Sequence, residues 1–348
     1  MLTSNFPTAR LHGFRYGRLA ALLSSGVLLA AGAELWAAVS TKDLTWPPPP
    51  ATPRIRYVQS LSGPADLGIR QSFWGRAFGV LAGRSQRVTL AKPFGIALDQ
   101  QDNLLLADTS ANAVYWFDVV HHTASRWDNI GPYGLVSPVA VARHQDTFYV
   151  ADSGLPAVLA FDAKGRCRFA LTNDLERPAG LAILGVNLFV ADAGAHRIMV
   201  FDLQGRPLRH FGRRGTGPGE FNFPTHLAAD PKGRLLVTDS MNSRVQILDQ
   251  EGKPVGVIGS AGDGPGHFSR PKGVAVDSLG HVYVADALFD NIQVFNLDGQ
   301  LLMHFGEAGQ EPGEFWLPGG IAIGRNNRIY VADTYNRRVQ VFQYVGEP

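Results

Sequence analysis

A short motif that recurs six times constrains the fold of this chain more than any other feature. Each copy is an apolar residue, then Ala or Thr, then Asp, and a Pro stands 14 or 15 residues before each Asp. The aspartates are separated by 44, 40, 47, 47 and 47 positions. They are Asp108, Asp152, Asp192, Asp239, Asp286 and Asp333. A unit of this length with four short strands is one propeller blade, so the repeats predict an all-β fold, a six-bladed β-propeller.

The fourth repeat illustrates the four strands, which we name a to d. Strand a is predicted at residues 225–230, b at 234–239, c at 244–249 and d at 254–259. Inner strands are almost continuously apolar because neighbouring blades cover both of their faces.

The sixth repeat has no strand d of its own in the sequence given, which ends just after strand c. Ile55–Leu61, ahead of the first repeat, has the right length to replace it. Pairing of this segment with the last strand would close the ring and remove two open sheet edges. We therefore expect the propeller to be closed by an N-terminal strand.

Composition favours a packed domain without a strong charge. Apolar residues make up 45% of the chain and charged residues 18%. The formal charge of +2 depends on Arg10, Arg15 and Arg18, since the rest of the chain has 29 basic and 30 acidic residues. No overall positive field is left to attract nucleic acid, so no nucleic-acid partner is expected. Cys167 is the one cysteine, which excludes an internal disulfide.

The N-terminus has the pattern of an export segment. Three arginines precede residues 19–33, which are uncharged and mostly apolar. Residues 1–40 are therefore predicted to be a signal peptide or a membrane anchor, preceding a propeller at 54–348. Both outcomes stay open, because 31–33 and 38–40 fit cleavage sites while 19–39 is long enough to span a bilayer. An uncleaved segment would attach the protein to the membrane.

Residues 41–53 are predicted to be a Pro-rich linker. Trp46 is followed by four consecutive prolines, Pro47 to Pro50. Such a run favours a stiff, extended spacer between the N-terminal segment and the propeller.

Motifs in the last three repeats resemble those of the NHL-repeat family. Phe211-Gly212 followed by Gly217-Pro218-Gly219-Glu220-Phe221 matches one family motif, and the run from Phe305 to Phe315 is its counterpart. Asp239…Asn242…Arg244 and Asp333…Asn336…Arg338 match the Asp-x-x-Asn-x-Arg element. Phe223-Pro224-Thr225-His226-Leu227 matches the stretch that names the family, with Thr where Asn is usual. The resemblance covers residues 54–348 and is looser in the first three repeats.

The closest resemblance is to exported bacterial members of that family. It implies a periplasmic protein, or one anchored in the inner membrane with the propeller on the outer side. It also implies a role in binding a protein or peptide partner whose identity is unknown.

The repeated aspartates are interpreted as structural. At the exit of strand b an Asp carboxylate can accept backbone N–H groups of the next loop. The arginines five residues later, Arg197, Arg244 and Arg338, are expected to pair with neighbouring loop groups.

A channel metal is the alternative that would make the protein an enzyme. Lyases that look like this fold hold zinc on histidines near strand a, and here His226 alone has such a position. Its counterparts are Gly95, Ala140, Gly180, Gly273 and Gly320, which cannot bind zinc. Lactonase-like propellers hold calcium on channel carboxylates, and Asp99, Asp230 and Asp277 end inner strands, but all three precede hairpin turns. We therefore expect no catalytic residue, no metal and no cofactor, with a metal-dependent lyase or lactonase as the alternative.

One end of the propeller is predicted to be the interaction face. The b–c and d–a loops share this end, which we call the b–c/d–a face, and the short a–b and c–d turns share the opposite one. Exposed aromatic residues beside arginines are typical of binding hot spots. The alternative is a solvated loop surface with locally packed aromatics. The predicted face residues are His196, Arg197, Arg213, Arg214, His226, Asn242, Arg244, Phe289, Asp290, Tyr335, Asn336 and Arg337.

An insertion at about residues 70–90 belongs to the same face. A helix is predicted at 73–82, with Phe73, Trp74 and Phe78 on one side. This side is expected to pack on the propeller as a lid or brace. The alternative is a docking helix for a partner or for the membrane interface.

Overall fold

Six antiparallel sheets surround a common axis in the computed structural model of this chain, which describes residues 44–69, 89–172 and 174–346. The innermost strand of each sheet contacts the innermost strands of both neighbouring sheets, and the sixth contacts the first. The ring is therefore closed, and the prediction of a six-bladed, all-β propeller is confirmed.

The strands of the first three blades follow each other in chain order. Two strands precede the ring, β1 (Thr45–Trp46) and β2 (Ile55–Leu61). Blade 1 contains β3 (Pro93–Leu98), β4 (Leu104–Asp108), β5 (Ala113–Asp118) and β6 (Thr123–Trp127), followed by a hairpin of β7 (Asn129–Ile130) and β8 (Tyr133–Gly134). Blade 2 contains β9 (Pro138–His144), β10 (Thr147–Asp152), β11 (Ala157–Phe161) and β12 (Cys167–Leu171). Blade 3 contains β13 (Pro178–Leu184), β14 (Asn187–Asp192), β15 (Arg197–Asp202) and β16 (Pro207–Phe211).

The remaining blades follow the same order. Blade 4 contains β17 (Pro224–Ala229), β18 (Leu235–Asp239), β19 (Arg244–Leu248) and β20 (Pro254–Ile258). Blade 5 contains β21 (Pro271–Val276), β22 (Val282–Asp286), β23 (Asn291–Phe295) and β24 (Leu301–Phe305). Blade 6 contains β25 (Pro318–Ile323), β26 (Arg328–Asp333) and β27 (Arg338–Tyr344). Short 3₁₀ turns lie at Pro64–Leu67, Ser240–Asn242 and Arg325–Asn327.

Strand β2 completes blade 6, as the sequence predicts. It pairs antiparallel with β27, from Ile55 opposite Tyr344 to Leu61 opposite Val339. Ile55 and Leu61 are buried, so this strand joins the core as well as the sheet. The two ends of the domain therefore pair with each other within one blade.

The segment expected to be an extended spacer packs on blade 6 instead. Strand β1 pairs with β2 as a fifth strand, and the backbone N–H of Arg54 donates to the carbonyl of Trp46 at 2.7 Å. The Trp46 ring lies 5.9 Å from the ring of Phe305 and 5.7 Å from that of Phe342. Partial burial of this indole against those rings explains why the prolines form a turn against the domain rather than a free spacer.

Two other predictions lie outside the described residues. These are the export segment at 1–40 and the insertion helix with Phe73, Trp74 and Phe78. In the described parts of the chain, no helix is both long and apolar enough to cross a membrane.

The core lies between the blades, and glycines permit the close contacts there. Gly95 in β3 approaches blade 2 so closely that a Cβ would lie 2.4 Å from the carbonyl oxygen of Val139. Gly212 has a φ of +90°, and a Cβ there would lie 2.4 Å from the ring of Phe221. The Phe-Gly and Glu-Phe ends of the NHL-like motif thus depend on each other, because the buried Phe221 ring occupies the space that Gly212 leaves.

Candidate functional site

The buried carboxylates of the repeated aspartates anchor the loops of the b–c/d–a face by hydrogen bonds. Asp239 accepts hydrogen bonds from the backbone N–H of Asn222 at 2.6 Å and from Nδ2 of Asn242 at 2.8 Å. It also forms an ion pair with Nε of Arg244 at 2.9 Å. The side chains of all six repeat aspartates are buried. Their interpretation as loop-anchoring residues is therefore confirmed.

Asn242 and Arg244 extend this anchor to the preceding d–a loop. Asn242 donates to the carbonyl of Gly215, and Arg244 donates to the carbonyls of Gly217 and Glu220. Blade 6 repeats the arrangement, where Arg338 lies 2.7 Å from Asp333. The Asp-x-x-Asn-x-Arg element thus fixes the Gly-rich loop, and its arginine satisfies carbonyls that would otherwise be unpaired.

The predicted face residues divide into three groups by exposure. Arg213, Arg214, Tyr335 and Arg337 are exposed, and His196 and His226 are buried. The half-buried residues are Arg197, Asn242, Arg244, Phe289, Asp290 and Asn336. Which of them contact a partner stays a prediction.

Several of the less exposed residues join loops to each other. Nδ1 of His196 accepts the backbone N–H of Phe223 at 3.2 Å, so it is the unprotonated nitrogen of that ring. Asp290 accepts the N–H of Leu317 at 2.6 Å. Burial raises the pKa of Asp290. These contacts make the face a braced surface rather than a set of independent loops.

An aromatic pair is exposed on this face in the loops of blade 6. The ring centroids of Trp316 and Tyr335 are 5.5 Å apart, and the two residues are 45% and 41% exposed. Nζ of Lys92 lies 4.5 Å from the centre of the Tyr335 ring. The sequence indicated Tyr335 but not Trp316, which precedes strand a of blade 6 by two positions.

The centre of the same face contains a cavity of about 340 Å³ that sequence reasoning missed. We call it the cationic mouth, because Arg177, Arg270 and Lys272 line it. Arg177 and Arg270 stand directly before the first Pro of a strand a, and Lys272 stands directly after one. Basic residues directly before or after the first Pro of a strand a are the sequence feature that could have identified the site. The other lining residues are Phe94, Val139, Ser153, Ala179, Ala193, Phe223, Thr225, His226, Ser240 and Met241.

The positive charges of the mouth have no acidic partner among the described residues. No Asp or Glu lines the cavity, and none of the three cations forms an ion pair. Burial lowers the pKa of Lys272, and the charges of Arg270 and Arg177 lower it further. The three cations therefore destabilise one another in this cavity.

His226 lies at the floor of the mouth with both ring nitrogens buried. Neither nitrogen has a hydrogen-bond partner within the described chain. Burial first, and the charge of Lys272 second, lower the pKa of His226 to about 3. The imidazole is therefore neutral at physiological pH, with one donor and one acceptor available. Its ring contacts Phe94 at 5.5 Å between centroids.

A metal site has little support in the described residues. They contain no group of three or more His, Cys, Asp or Glu residues arranged to hold a metal. Asp99, Asp230 and Asp277 each accept a hydrogen bond from a basic side chain instead, namely Arg143, Arg234 and His281. Below His226 the channel narrows to a space of about 40 Å³ between the six inner strands.

The opposite face carries a second cavity, of about 550 Å³, between blades 1 and 2. Arg143 lies inside it, 2.6 Å from Asp99 and 4.7 Å from the centre of the Trp116 ring. Turns of two neighbouring blades enclose this space, so its existence depends on packing and not on any motif in the sequence.

Comparisons with known proteins agree with the fold. Residues 315–342 match the family model of the NHL repeat, and residues 229–287 match a family model described as a 6-bladed beta-propeller. A search of the curated proteins finds no significant match.

Solved structures of different function share this architecture. Virginiamycin B lyase from Staphylococcus aureus is 13% identical with a TM-score of 0.54, and the match covers 73% of this chain and 96% of that one. Hydrazine synthase from Kuenenia stuttgartiensis is 14% identical with a TM-score of 0.55, over 76% and 99% of the two chains. The WD40 propeller domain of Doa1 is 11% identical with a TM-score of 0.54, over 72% and 78%. At this identity the likeness concerns the fold alone. With six closed blades and a match to the NHL-repeat model at residues 315–342, this chain is a six-bladed β-propeller that contains an NHL repeat.

Proposed function

We propose that this propeller is a non-catalytic binding platform that takes a protein or peptide partner on its b–c/d–a face. The observation that carries the proposal is the exposed aromatic pair of Trp316 and Tyr335. Large aromatic side chains that are already packed together lose little conformational freedom when a partner covers them, and they dominate binding energy at interfaces.

The rest of this face has the composition of an interface. Three further large apolar side chains are exposed on the same face, Val136, Met241 and Leu288. Arg213, Arg214 and Arg337 are exposed on this face as well. Apolar and aromatic anchors with arginines at the periphery are typical of protein-binding surfaces. The braced loops would present these groups at a low ordering cost.

The place of action in this proposal is the outer side of a membrane. The basic leader and apolar run at residues 10–33 support export, with the propeller periplasmic or anchored in the inner membrane. Fractionation of cells that express the full chain, with Edman sequencing of the product, tests this placement.

Selection from a random peptide library on the immobilised protein tests the binding function. The wild-type chain is expected to enrich peptides that bind with micromolar affinity. A Trp316→Ala/Tyr335→Ala variant is expected to lose at least tenfold in affinity for them, because the buried aromatic area is lost. The matched control is Val120→Ala/Val186→Ala, which removes two exposed apolar side chains from turns of the opposite face.

Two results would count against the platform. The first is enrichment that the control variant abolishes and the aromatic variant retains. The second is a library selection that yields no specific binder to the folded chain.

A metal-dependent lyase or lactonase-like enzyme is the second candidate, and one observation favours it. His226 stands at the channel with two unpartnered nitrogens, in a fold shared with virginiamycin B lyase. Metal analysis of the purified chain distinguishes the candidates. A stoichiometric calcium ion, or a stoichiometric zinc ion that is lost in His226→Leu, would replace the platform by the enzyme.

A further inference from the structure

We infer that the cationic mouth is an anion-binding site, which receives a carboxylate or phosphate group carried on an apolar body. The inference deepens the proposed function of the same face, and it rests on that function for the larger ligand to which the anion belongs. Its physical basis is the uncompensated charge described above, together with the unpartnered imidazole of His226.

Hydrogen bonds to the repeat aspartates fix the backbone at two of the three cations. The backbone N–H of Arg177 donates to Asp192 at 2.9 Å, and the N–H of Arg270 donates to Asp286 at 3.0 Å. The repeat aspartates of blades 3 and 5 thus fix the backbone on either side of blade 4. Blade 4 supplies His226 between them, so the cations and this imidazole line one cavity.

An arrangement of this kind costs stability unless a ligand completes it. Like charges in a partly buried cavity repel each other, and a buried polar atom without a partner costs about 1–3 kcal/mol. The orphaned polar atoms are both nitrogens of His226 and Oγ1 of Thr225. An oxyanion would neutralise the arginines and Lys272 and would accept an N–H from His226. Destabilising groups that converge on one cavity are typical of functional sites.

The other residues that line the mouth indicate the chemistry of the rest of the ligand. Phe94, Val139 and Phe223 line it, and so do Ala179 and Met241. A cavity of about 340 Å³ lies in the range of small organic ligands, and exceeds what a bare inorganic ion fills. The ligand is therefore an amphiphilic anion. It can be a free organic acid or phosphate ester, or the C-terminal carboxylate of a peptide with an apolar last residue.

Calorimetric titration of the full-length protein with small probes tests the inference. The probes are phenylacetate, phenyl phosphate and the neutral phenylacetamide, at constant ionic strength. We expect at least one anion to bind with a Kd below about 1 mM, and at least tenfold more tightly than the amide. An acetylated peptide ending in Phe, with a free or an amidated C-terminus, then distinguishes a peptide carboxylate from a free small anion.

Variants locate the binding. Arg177→Met, Arg270→Met and Lys272→Met each keep the apolar stem and remove the charge, and each is expected to weaken anion binding at least tenfold. Arg206→Met is the matched control, because Arg206 is exposed on a turn of the opposite face and paired with Asp202 at 2.5 Å. It is expected to change the affinity less than twofold.

A measurement on the unmodified chain keeps the test independent of the variants. The ring proton signals of His226 in NMR spectra are expected to shift as the anion is added, while those of the exposed His304 stay in place. Equal binding of the anions and the amide would overturn the inference. So would a His226 signal that does not respond, or an Arg206→Met effect as large as that of Arg177→Met. Because the small probes need no macromolecular partner, anion binding without any peptide binder would leave this inference standing and remove the proposed platform.

Discussion

Oγ of Ser240, in the b–c loop of blade 4, donates a buried hydrogen bond of 2.8 Å to the carbonyl of Pro271, the first residue of strand a in blade 5. The same bond joins blade 2 to blade 3, from Ser153 to Pro178, and blade 6 to blade 1, from Thr334 to Pro93. In blades 3 and 5 the equivalent residues are Ala193 and Ala287, which cannot donate. Hydroxyl-to-proline bonds therefore cross alternate blade junctions around the axis.

Replacement of Ser240 by Ala is expected to lower the free energy of unfolding by about 1–2 kcal/mol, because the Pro271 carbonyl is left buried without its partner. Urea denaturation followed by tryptophan fluorescence measures the change. Ser110→Ala is the control, since Ser110 lies in an equivalent b–c loop but is exposed. An equal effect of the two substitutions would contradict the role of the junction bond.

Two residues of the closing strand β2 are expected to differ strongly in their contribution to stability. Ile55→Ala is expected to cost about 3 kcal/mol, because Ile55 is fully buried against blade 6 and a cavity would remain. Val58→Ala, on the same strand but exposed, is expected to cost less than about 0.5 kcal/mol. Thermal unfolding by calorimetry distinguishes them, and similar losses would show that β2 does not complete the core.

Loss of the Asp239 carboxylate that anchors the loops is expected to destabilise the fold far more than loss of an ion pair on the loop surface. Asp239→Asn removes the buried carboxylate and leaves the half-buried Arg244 without its counter-charge, and it is expected to cost about 3–5 kcal/mol. Arg213→Ala breaks the exposed pair with Glu220 and is expected to cost at most about 1 kcal/mol. Chemical denaturation of both variants measures the difference. A tolerated Asp239→Asn would mean that Arg244 finds compensation elsewhere.

His226 predicts a specific loss of stability in acid. Its pKa is about 3 in the folded chain, against about 6.5 in the unfolded chain. Between these values the unfolded state binds a proton that the folded state does not, so stability falls as the pH is lowered, by about 1.4 kcal/mol per pH unit at most. His226→Leu removes this contribution. Between pH 7 and pH 4.5 the variant is expected to lose about 2 kcal/mol less than wild type in urea denaturation, whereas His304→Leu is expected to follow wild type.

Much of the fold could be read from local pattern. The six Asp motifs and their prolines predict the blade number, and the predicted strand bounds in blade 4 agree with β17 to β20 within a residue. The closing role of Ile55–Leu61 followed from the missing fourth strand of the last repeat. The Pro-rich segment was expected to be an extended spacer, but it packs on blade 6. A Pro-rich run has the same local conformational preference whether or not the side chain of a neighbouring Trp packs on the domain.

The sequence by itself determined the repeat, and with it the ring and the aspartate anchors, because each repeat is built from residues close together in the chain. It also determined the closing strand, because the last repeat lacks a fourth strand and Ile55–Leu61 has the length to replace it. Only the tertiary structure decided where unpaired charge collects. Arg177 and Arg270 are 93 positions apart and belong to blades with another blade between them. They line one cavity because ring closure brings the first residues of every strand a around a single axis.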